Sequence, residues 1–452
     1  MHRIHSGLTV AVAVRKGHST KLQQVLNQFS ASLNKSSNSD NNSSDNTSTH
    51  NCICNFDTSE STLFVSCVII REQPYKDETL PETFVFATTF SGPIKRHLKE
   101  LIDTNHESLC AIFENCEGFP ADAVNNSNSL SKFLKCHRHK NTFNSRYNCK
   151  TKGQIQQEKE LRNEIEDYLD KAQPSVNFNA LKATEVKTLI ERHIKNQGQQ
   201  FEWSHKADKK SLIEELVSNG FWYLSMILLV AIALIFSDHI LTLSIALLSI
   251  AVLFVILAAL ALLYITSKKF PTAPRPDDSL VRSLAASQLR PVINEMTAAA
   301  PLKDGRTRRY FYAIALAIIA KALRAKLEVP TVSNIRWLVI NRRRRLLFLS
   351  TYTNTTDFYV RDFLTGSTWM GVNFMFTNGY GFPDAKYLFI DGITKDPEGY
   401  MNVIHTHQHI THLWYAHDYD VTVDIIKRNS KIRNGLFKPM TENETREWLM
   451  LL

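Results

Sequence analysis

Five of the sixteen histidines in the chain fall within thirteen residues, at His405, His407, His409, His412 and His417. On a β-strand His405, His407 and His409 would share one face; on an α-helix His405, His409 and His412 would. Either arrangement offers imidazole nitrogens to a transition metal or to a haem iron. A weaker counterpart stands in the N-terminal half, where Cys136 is followed by His137 and His139, a second candidate metal pair. Neither stretch has a carboxylate or thiolate completing a recognised ligand spacing. Ordinary, partly buried polar histidines are therefore the competing reading.

Other familiar chemistry is missing. There is no G-x-G-x-x-G, no G-x-x-x-x-G-K-[ST], no G-x-S-x-G and no H-E-x-x-H, so the common nucleotide, hydrolase and zinc-protease readings have no motif. Asp391-Gly392 with Asp396 does not complete a calcium loop and reads as a turn. Tyr380-Gly381-Phe382-Pro383 and Gly118-Phe119-Pro120 either line a pocket with aromatic faces or form a repeated turn before a strand. Arg342 to Arg345 lie between two expected strands, NIRWLVIN and LLFLSTYT, where a hairpin turn needs polar residues anyway. With no nucleic-acid-binding motif beside them, nucleic acid is not an expected partner.

The elements that must carry these residues are dominated by one signal. From Phe221 to Ile265 the chain is almost wholly apolar, broken only at Ser237-Asp238-His239. At 1.5 Å per residue such a run is about twice the thickness of a bilayer's hydrocarbon core. It reads as a transmembrane helical hairpin, 219–237 and 240–266, within a hairpin domain of 219–266. Lys206, Lys209 and Lys210 precede it, and Lys268, Lys269, Arg275 and Arg282 follow it. The positive-inside rule then places both termini in the cytoplasm, with a bacterial inner membrane as the expected location. The formal charge of +9 is concentrated in the same place: residues 268–345 hold 17 Lys and Arg against five Asp and Glu, a local net of +12. Lys268, Lys269, Arg275, Arg306, Arg308 and Arg309 are the expected membrane-facing basic residues, partners for anionic headgroups.

The rest of the chain punctuates itself. Leu8 to Val14 is too short for a signal peptide and reads as a first strand. All seven cysteines precede the hairpin and are expected to be reduced thiols on the cytoplasmic side; Cys52 and Cys54 lack the second pair a zinc site needs. Residues 34–51, KSSNSDNNSSDNTSTHNC, are expected to be a disordered insertion. Residues 154–218 form a charged helical connector, and Pro271, Pro274 and Pro276 mark a basic linker over 267–290.

The two flanks repeat one another. FVFATTFSG (84–92) and ENCEGFP (114–120) match LLFLSTYTN (346–354) and TNGYGFP (377–383) at offsets of 262 and 263. GLTVAVAVRKG (7–17) matches EMTAAAPLKDG (295–305) at 288, the difference being absorbed by the Asn/Ser segment. Expected strands and helices run 8–14, 19–33, 62–71, 83–90 and 93–103 in the first copy. In the second they run 295–302, 306–326, 334–340, 346–353 and 355–365. With a final strand region in each copy, the order is βαββαβ, a ferredoxin-like plait.

The segments LTVAVAVRKGH, TTFSGP, IFENCEGFP, NEMTAAAPLK, RRLLFLSTYTN, DFYVRDF, NGYGFP and HTHQHITHLWY resemble a largely uncharacterised bacterial membrane-associated family built from two ferredoxin-like repeats. No established chemistry comes with these motifs. The architecture is also similar to the dimeric α/β-barrel superfamily, which includes dye-decolorizing peroxidases and chlorite dismutases, haem enzymes with a histidine iron ligand. That resemblance implies haem as a possible cofactor, with His407 the preferred ligand because the His-Gln pair carries the family likeness. The peroxidases' G-x-x-D-G signature has only a partial echo at Leu388-Phe389-Ile390-Asp391-Gly392, which lacks the first glycine.

The expected architecture is α+β: two ferredoxin-like repeats, 1–153 and 291–452, pairing as a pseudo-dimeric α/β barrel with the hairpin between them. The expected function is a membrane-bound module binding a lipid, small molecule or protein. The alternative is a membrane-tethered haem- or metal-dependent oxidoreductase, peroxidase-like, using His405, His407, His409 or His412.

Overall fold

The computed structural model describes residues 5–38, 54–140, 142–147, 150–205, 240–286, 292–322, 331–364 and 369–452. They fall into two compact units, Arg3–Ile155 with Ile265–Ile425, and Gln156–Tyr264 with Ile426–Leu452. In chain order the first elements are β1 (His5–Ala13), α1 (Ser19–Asn38), β2 (Thr62–Ile70), β3 (Gln73–Tyr75), β4 (Glu78–Leu80), β5 (Thr83–Ser91), α2 (Ile94–Phe113), α3 (Ser127–Cys136) and β6 (Thr142–Ser145). Three helices follow: α4 (Lys152–Ala172), α5 (Ala183–Asn196) and α6 (Ile240–Ser267). Then come α7 (Asp278–Ala286), β7 (Ile293–Pro301), α8 (Arg306–Ala322), β8 (Val332–Ile340), β9 (Arg345–Thr353), α9 (Thr356–Asp362) and α10 (Trp369–Phe376). The chain ends with β10 (Ala385–Lys386), β11 (Ile390–Asp391), α11 (Pro397–His407), β12 (Gln408–His409), β13 (Thr411–Ala416), α12 (Val423–Leu436) and α13 (Glu442–Leu449).

The first unit is α+β with antiparallel sheets. One has the order β1-β5-β2-β13 and the other β12-β7-β9-β8-β6. Strand β13 comes from the C-terminal half yet edges the N-terminal sheet, with Trp414 opposite Ser66. Strand β6 comes from the N-terminal half yet edges the other sheet, with Thr142 opposite Trp337. Alternation along the strands explains why they are apolar on both faces. Leu8, Val10, Val12, Phe84 and Phe86 pack under α2 residues Leu98, Leu101 and Phe113. Their neighbours Ala11, Val85 and Ala87 turn the other way and meet Ala299, Leu338, Leu347 and Leu349 of the second sheet. The two sheets thus share an apolar layer, but among the described residues they remain separate and do not close into a barrel.

Several expected boundaries move. Helix α1 runs to Asn38, inside the segment expected to be disordered, while 39–51 lie outside the described residues. Helix α2 continues past residue 103 to Phe113 through a break at Asn105 (φ −135°, ψ 26°), whose side-chain oxygen accepts the Asn55 backbone N–H at 2.7 Å. The linker expected over 267–290 contains a helix, α7. The first expected membrane span, 219–237, lies outside the described residues.

In the second unit, the connector's apolar stripe finds its cover in the chain's end. Leu161, Ile165, Val186, Ile190 and Ile194 pack with Ile432, Leu436 and Trp448, so residues beyond 425 belong here and not to the second repeat as expected. An amphipathic helix must bury its stripe against something, and α12 and α13 supply it. Helix α6 is different in kind. Over Leu248–Ser267 its mean hydropathy is 2.9, and among the described residues it is the one helix long and apolar enough to cross a membrane. Leu248, Ile250 and Val255 are each more than 60% exposed. Each such side chain left in water forgoes about 1.5–3 kcal/mol of burial.

Candidate functional site

The histidine cluster sits on a junction, and the junction disperses it. Helix α11 starts at Asp396, whose carboxylate accepts the Gly399 N–H at 2.8 Å, with Pro397 in the first turn. It ends at His407, and Gln408 (φ −73°, ψ 140°) is already extended. His409 then pairs with Thr297 of β7, and the chain crosses into the other sheet at Thr411. Neither a single strand nor a single helix carries the set, so neither expected common face forms. Among the described residues no three His, Cys, Asp or Glu side chains assemble as a metal centre.

Each histidine has its own environment. His407 donates Nε2–H to the Tyr380 carbonyl at 3.0 Å, and burial pushes its pKa down to about 4. Burial likewise lowers His409 to about 3 and lowers His412. His417 lies edge-on to Phe64 at 5.6 Å. In the N-terminal half, His137 donates Nδ1–H to the Phe133 carbonyl at 3.0 Å while burial lowers His139; among the described residues neither belongs to a group of three potential ligands. His407 Nε2 is taken by the Tyr380 carbonyl of a structural loop, which leaves Nδ1 as the ring nitrogen that an iron would need.

That loop explains the Gly-Phe-Pro at 381–383; Gly118 of the first copy shares only its left-handed backbone, at φ +70°. Gly381 has φ +83°, and a Cβ there would stand 2.9 Å from that of Ala273. Ala273 N–H donates to the Gly381 carbonyl at 2.8 Å, and Phe270 N–H to Asp384 at 3.1 Å, so the chain leaving α6 is fastened here. Lys303, fully buried, completes the fastening through Asp384 at 2.6 Å and the Phe382 carbonyl at 3.0 Å. Of the turn and pocket readings, the turn is the one the residues fulfil. Arg308, expected to face the membrane, is instead buried: it donates to the Ile265 carbonyl, sits 5.4 Å over the Phe270 ring and contacts Asn378. The last-turn carbonyls of a helix have no intrahelical partner, and a guanidinium satisfies them well. Lys268, Lys269, Arg275 and Arg306 are exposed and Arg309 is half-buried.

The remaining histidine opens a different possibility. His405 Nε2 lies 3.2 Å from Asp357 at the start of α9, and its ring is mostly buried. In the tautomer that donates Nε2–H to the carboxylate, Nδ1 is an acceptor, and Nδ1 has no hydrogen-bond partner. Gln408 is 7% exposed, and its Oε1 is also buried without a partner. Both side chains line one cavity of about 410 Å³, with Asn294, Thr355 and Asp357 on its polar side and Val281 and Leu284 of α7 on its apolar side. A second cavity of about 290 Å³, containing His409, His412 and Arg71, shares Gln408 and Leu284 with it. Local geometry shapes the first: Asn354 is left-handed (φ +77°), its Oδ1 accepts the Thr355 N–H, and Thr355 caps α9 through the Phe358 N–H. Sequence reasoning does not offer Asp357, Asn294 or Gln408 as a site residue, and notes Gln408 only as the neighbour of His407. The one available signal was Asp396-Pro397, which places a helix start ahead of the histidines and so puts His405 in a last turn.

Compared with known proteins, the chain matches no family model, and no curated protein or solved structure matches it significantly.

Proposed function

We propose that this is a membrane-anchored module that binds a small molecule in the His405–Gln408 cavity. The observation that carries the reading is that His405 and Gln408, whose Nδ1 and Oε1 are buried without hydrogen-bond partners, both line one cavity of about 410 Å³. Buried acceptors without donors cost roughly 1–3 kcal/mol each, and a ligand bearing N–H or O–H groups removes that cost. The volume falls within the range of small-molecule sites. Asp357 favours a ligand that also carries positive charge, so a primary ammonium or a guanidine is the class that fits.

In the same reading α6 is the second of two spans, with 219–237 the first, and both halves and both termini lie in the cytoplasm of a bacterial cell. The apolar, exposed face of α6 supports this, as do the exposed Lys268, Lys269 and Arg275 just beyond it, which suit anionic headgroups. The halves are ferredoxin-like repeats paired in the manner of the dimeric α/β-barrel proteins. The recurring order strand, helix, strand, strand, helix and the reciprocal exchange of β6 and β13 support it.

The test is a thermal-shift screen of the detergent-solubilised protein against millimolar amines, guanidines, carboxylates and polyols, repeated on His405→Ala. Stabilisation by amines or guanidines that disappears in the variant is expected. Stabilisation confined to carboxylates, or unchanged in His405→Ala, would overturn the assignment.

A further inference from the structure

A third cavity, of about 400 Å³, shares no residue with the His405 site. Its floor is apolar: Ala313 and Leu316 of α8, with Trp337 and Val339 of β8. Its rim is basic: Lys140, Arg342 and Arg343 line it, and among the described residues no carboxylate does. The Trp337 indole N–H is buried there without a hydrogen-bond partner.

The two arginines are held at a backbone cost. The β8–β9 hairpin turn carries Asn341, Arg342 and Arg343 at φ of 49°, 54° and 62°. Turns of this hand favour Asn and Gly, and each non-glycine residue in the left-handed region costs on the order of 1 kcal/mol. Glycine at either arginine would relieve strain and delete a cation from the rim. Arg343 is further fixed 5.2 Å over the Tyr310 ring. A strained turn that presents cations at the mouth of an apolar cavity matches a ligand with an acidic head and a hydrocarbon tail.

We propose that this cavity binds a single-chain anionic amphiphile, a long-chain carboxylate whose tail lies against Trp337, Val339 and Leu316 and whose head meets Arg342, Arg343 and Lys140. Size favours one chain over two. At roughly 30 Å³ for a water-sized group such as a methylene, the cavity takes about a dozen carbons, too few for a diacyl lipid. The proposal does not depend on the His405 site.

The test uses the full chain in a neutral detergent, with 12-bromododecanoate quenching tryptophan fluorescence; the component lost in Trp337→Phe reports the cavity. Saturable quenching of that component is expected, with 12-bromododecanol at least tenfold weaker. The double variant Arg342→Glu/Arg343→Glu, altered only at exposed positions, should erase the acid's advantage while the protein still folds, its melting temperature falling only by the loss of the Arg343–Tyr310 contact. Ala313→Phe, which fills the floor, should abolish the quenching. Equal quenching by acid and alcohol, or quenching that survives Ala313→Phe, would overturn the proposal. So would equally strong quenching of Trp337 by a brominated two-chain phosphatidylglycerol, which would make the occupant a bilayer lipid.

Discussion

Replacing Gln408 with leucine should make the unliganded protein more stable while removing its ligand affinity. The side chain is 7% exposed and its Oε1 has no donor, so the folded state carries a desolvated acceptor costing roughly 1–3 kcal/mol. Leucine keeps most of the volume and drops the amide. Allowing for imperfect packing, Gln408→Leu should gain about 1–2 kcal/mol. At about 2 °C per kcal/mol for a unit of this size, the transition of the α+β unit should rise by about 2–4 °C in differential scanning calorimetry. The same change leaves a bound ligand's donor unpaired, so affinity for an amine or guanidine found by screening should fall by about 5- to 150-fold, the equivalent of 1–3 kcal/mol. A melting temperature lowered by several degrees, with affinity intact, would refute the reasoning: Oε1 would then already have a partner and the cavity would be a packing defect.

Acid should destabilise the fold through His5 and His97, which are both almost fully buried and held by burial at about 4 and about 3. Their folded pKa values lie below that of the unfolded chain, so their contribution is complete above about pH 6.5 and is lost as pH falls toward 3–4. At pH 5 each costs about 2 kcal/mol, from 1.5 units at 1.36 kcal/mol per unit. In urea titrations, His97→Asn should flatten the pH 7 to pH 5 difference; an unchanged slope would count against it. Glu295 acts in the opposite sense, because burial raises it to about 7. Its contribution is present below about pH 4.5 and lost as pH rises through 7, so Glu295→Gln should exceed the wild type at pH 8 by about 3 kcal/mol, from 2.5 units at 1.36 kcal/mol per unit, and lose most of the advantage at pH 5. Gly381→Ala should cost about 1–3 kcal/mol, since it combines φ +83° with a 2.9 Å approach to Ala273; a melting temperature unchanged to within a degree would remove the anchoring role given to that loop.

What could be read from sequence was what local periodicity encodes. Strands β1, β2, β5, β7, β8 and β9 and helices α1, α2, α8 and α9 follow from apolar runs and helical spacing, and the offsets of 262 and 263 align segments that occupy matching places in the chain order, β5 with β9 and the loop after α2 with the loop after α10. Helix α6 follows from composition alone. The histidines were less legible because a one-residue change of backbone at Gln408 converts helix to strand, and neither period survives it. Asp357 meets His405 only through the packing of α9 beside α11, a contact no spacing rule contains. Arg308 looked like topology-setting surface charge; the unpaired carbonyl of Ile265 draws it inside. The C-terminal helices were assigned to the second repeat because their apolar stripe does not name its partner, which is the connector.

The proposed membrane anchor is open to the most direct measurement. Fuse a fluorescent reporter active only in the cytoplasm, and separately a phosphatase active only outside it, to each end of the full chain in a bacterial host. Then extract the membranes with alkaline carbonate. The protein should stay in the membrane fraction, with fluorescence and no phosphatase activity at both termini. Release by carbonate, or phosphatase activity at one terminus, would contradict a two-span anchor that leaves both halves on the cytoplasmic side.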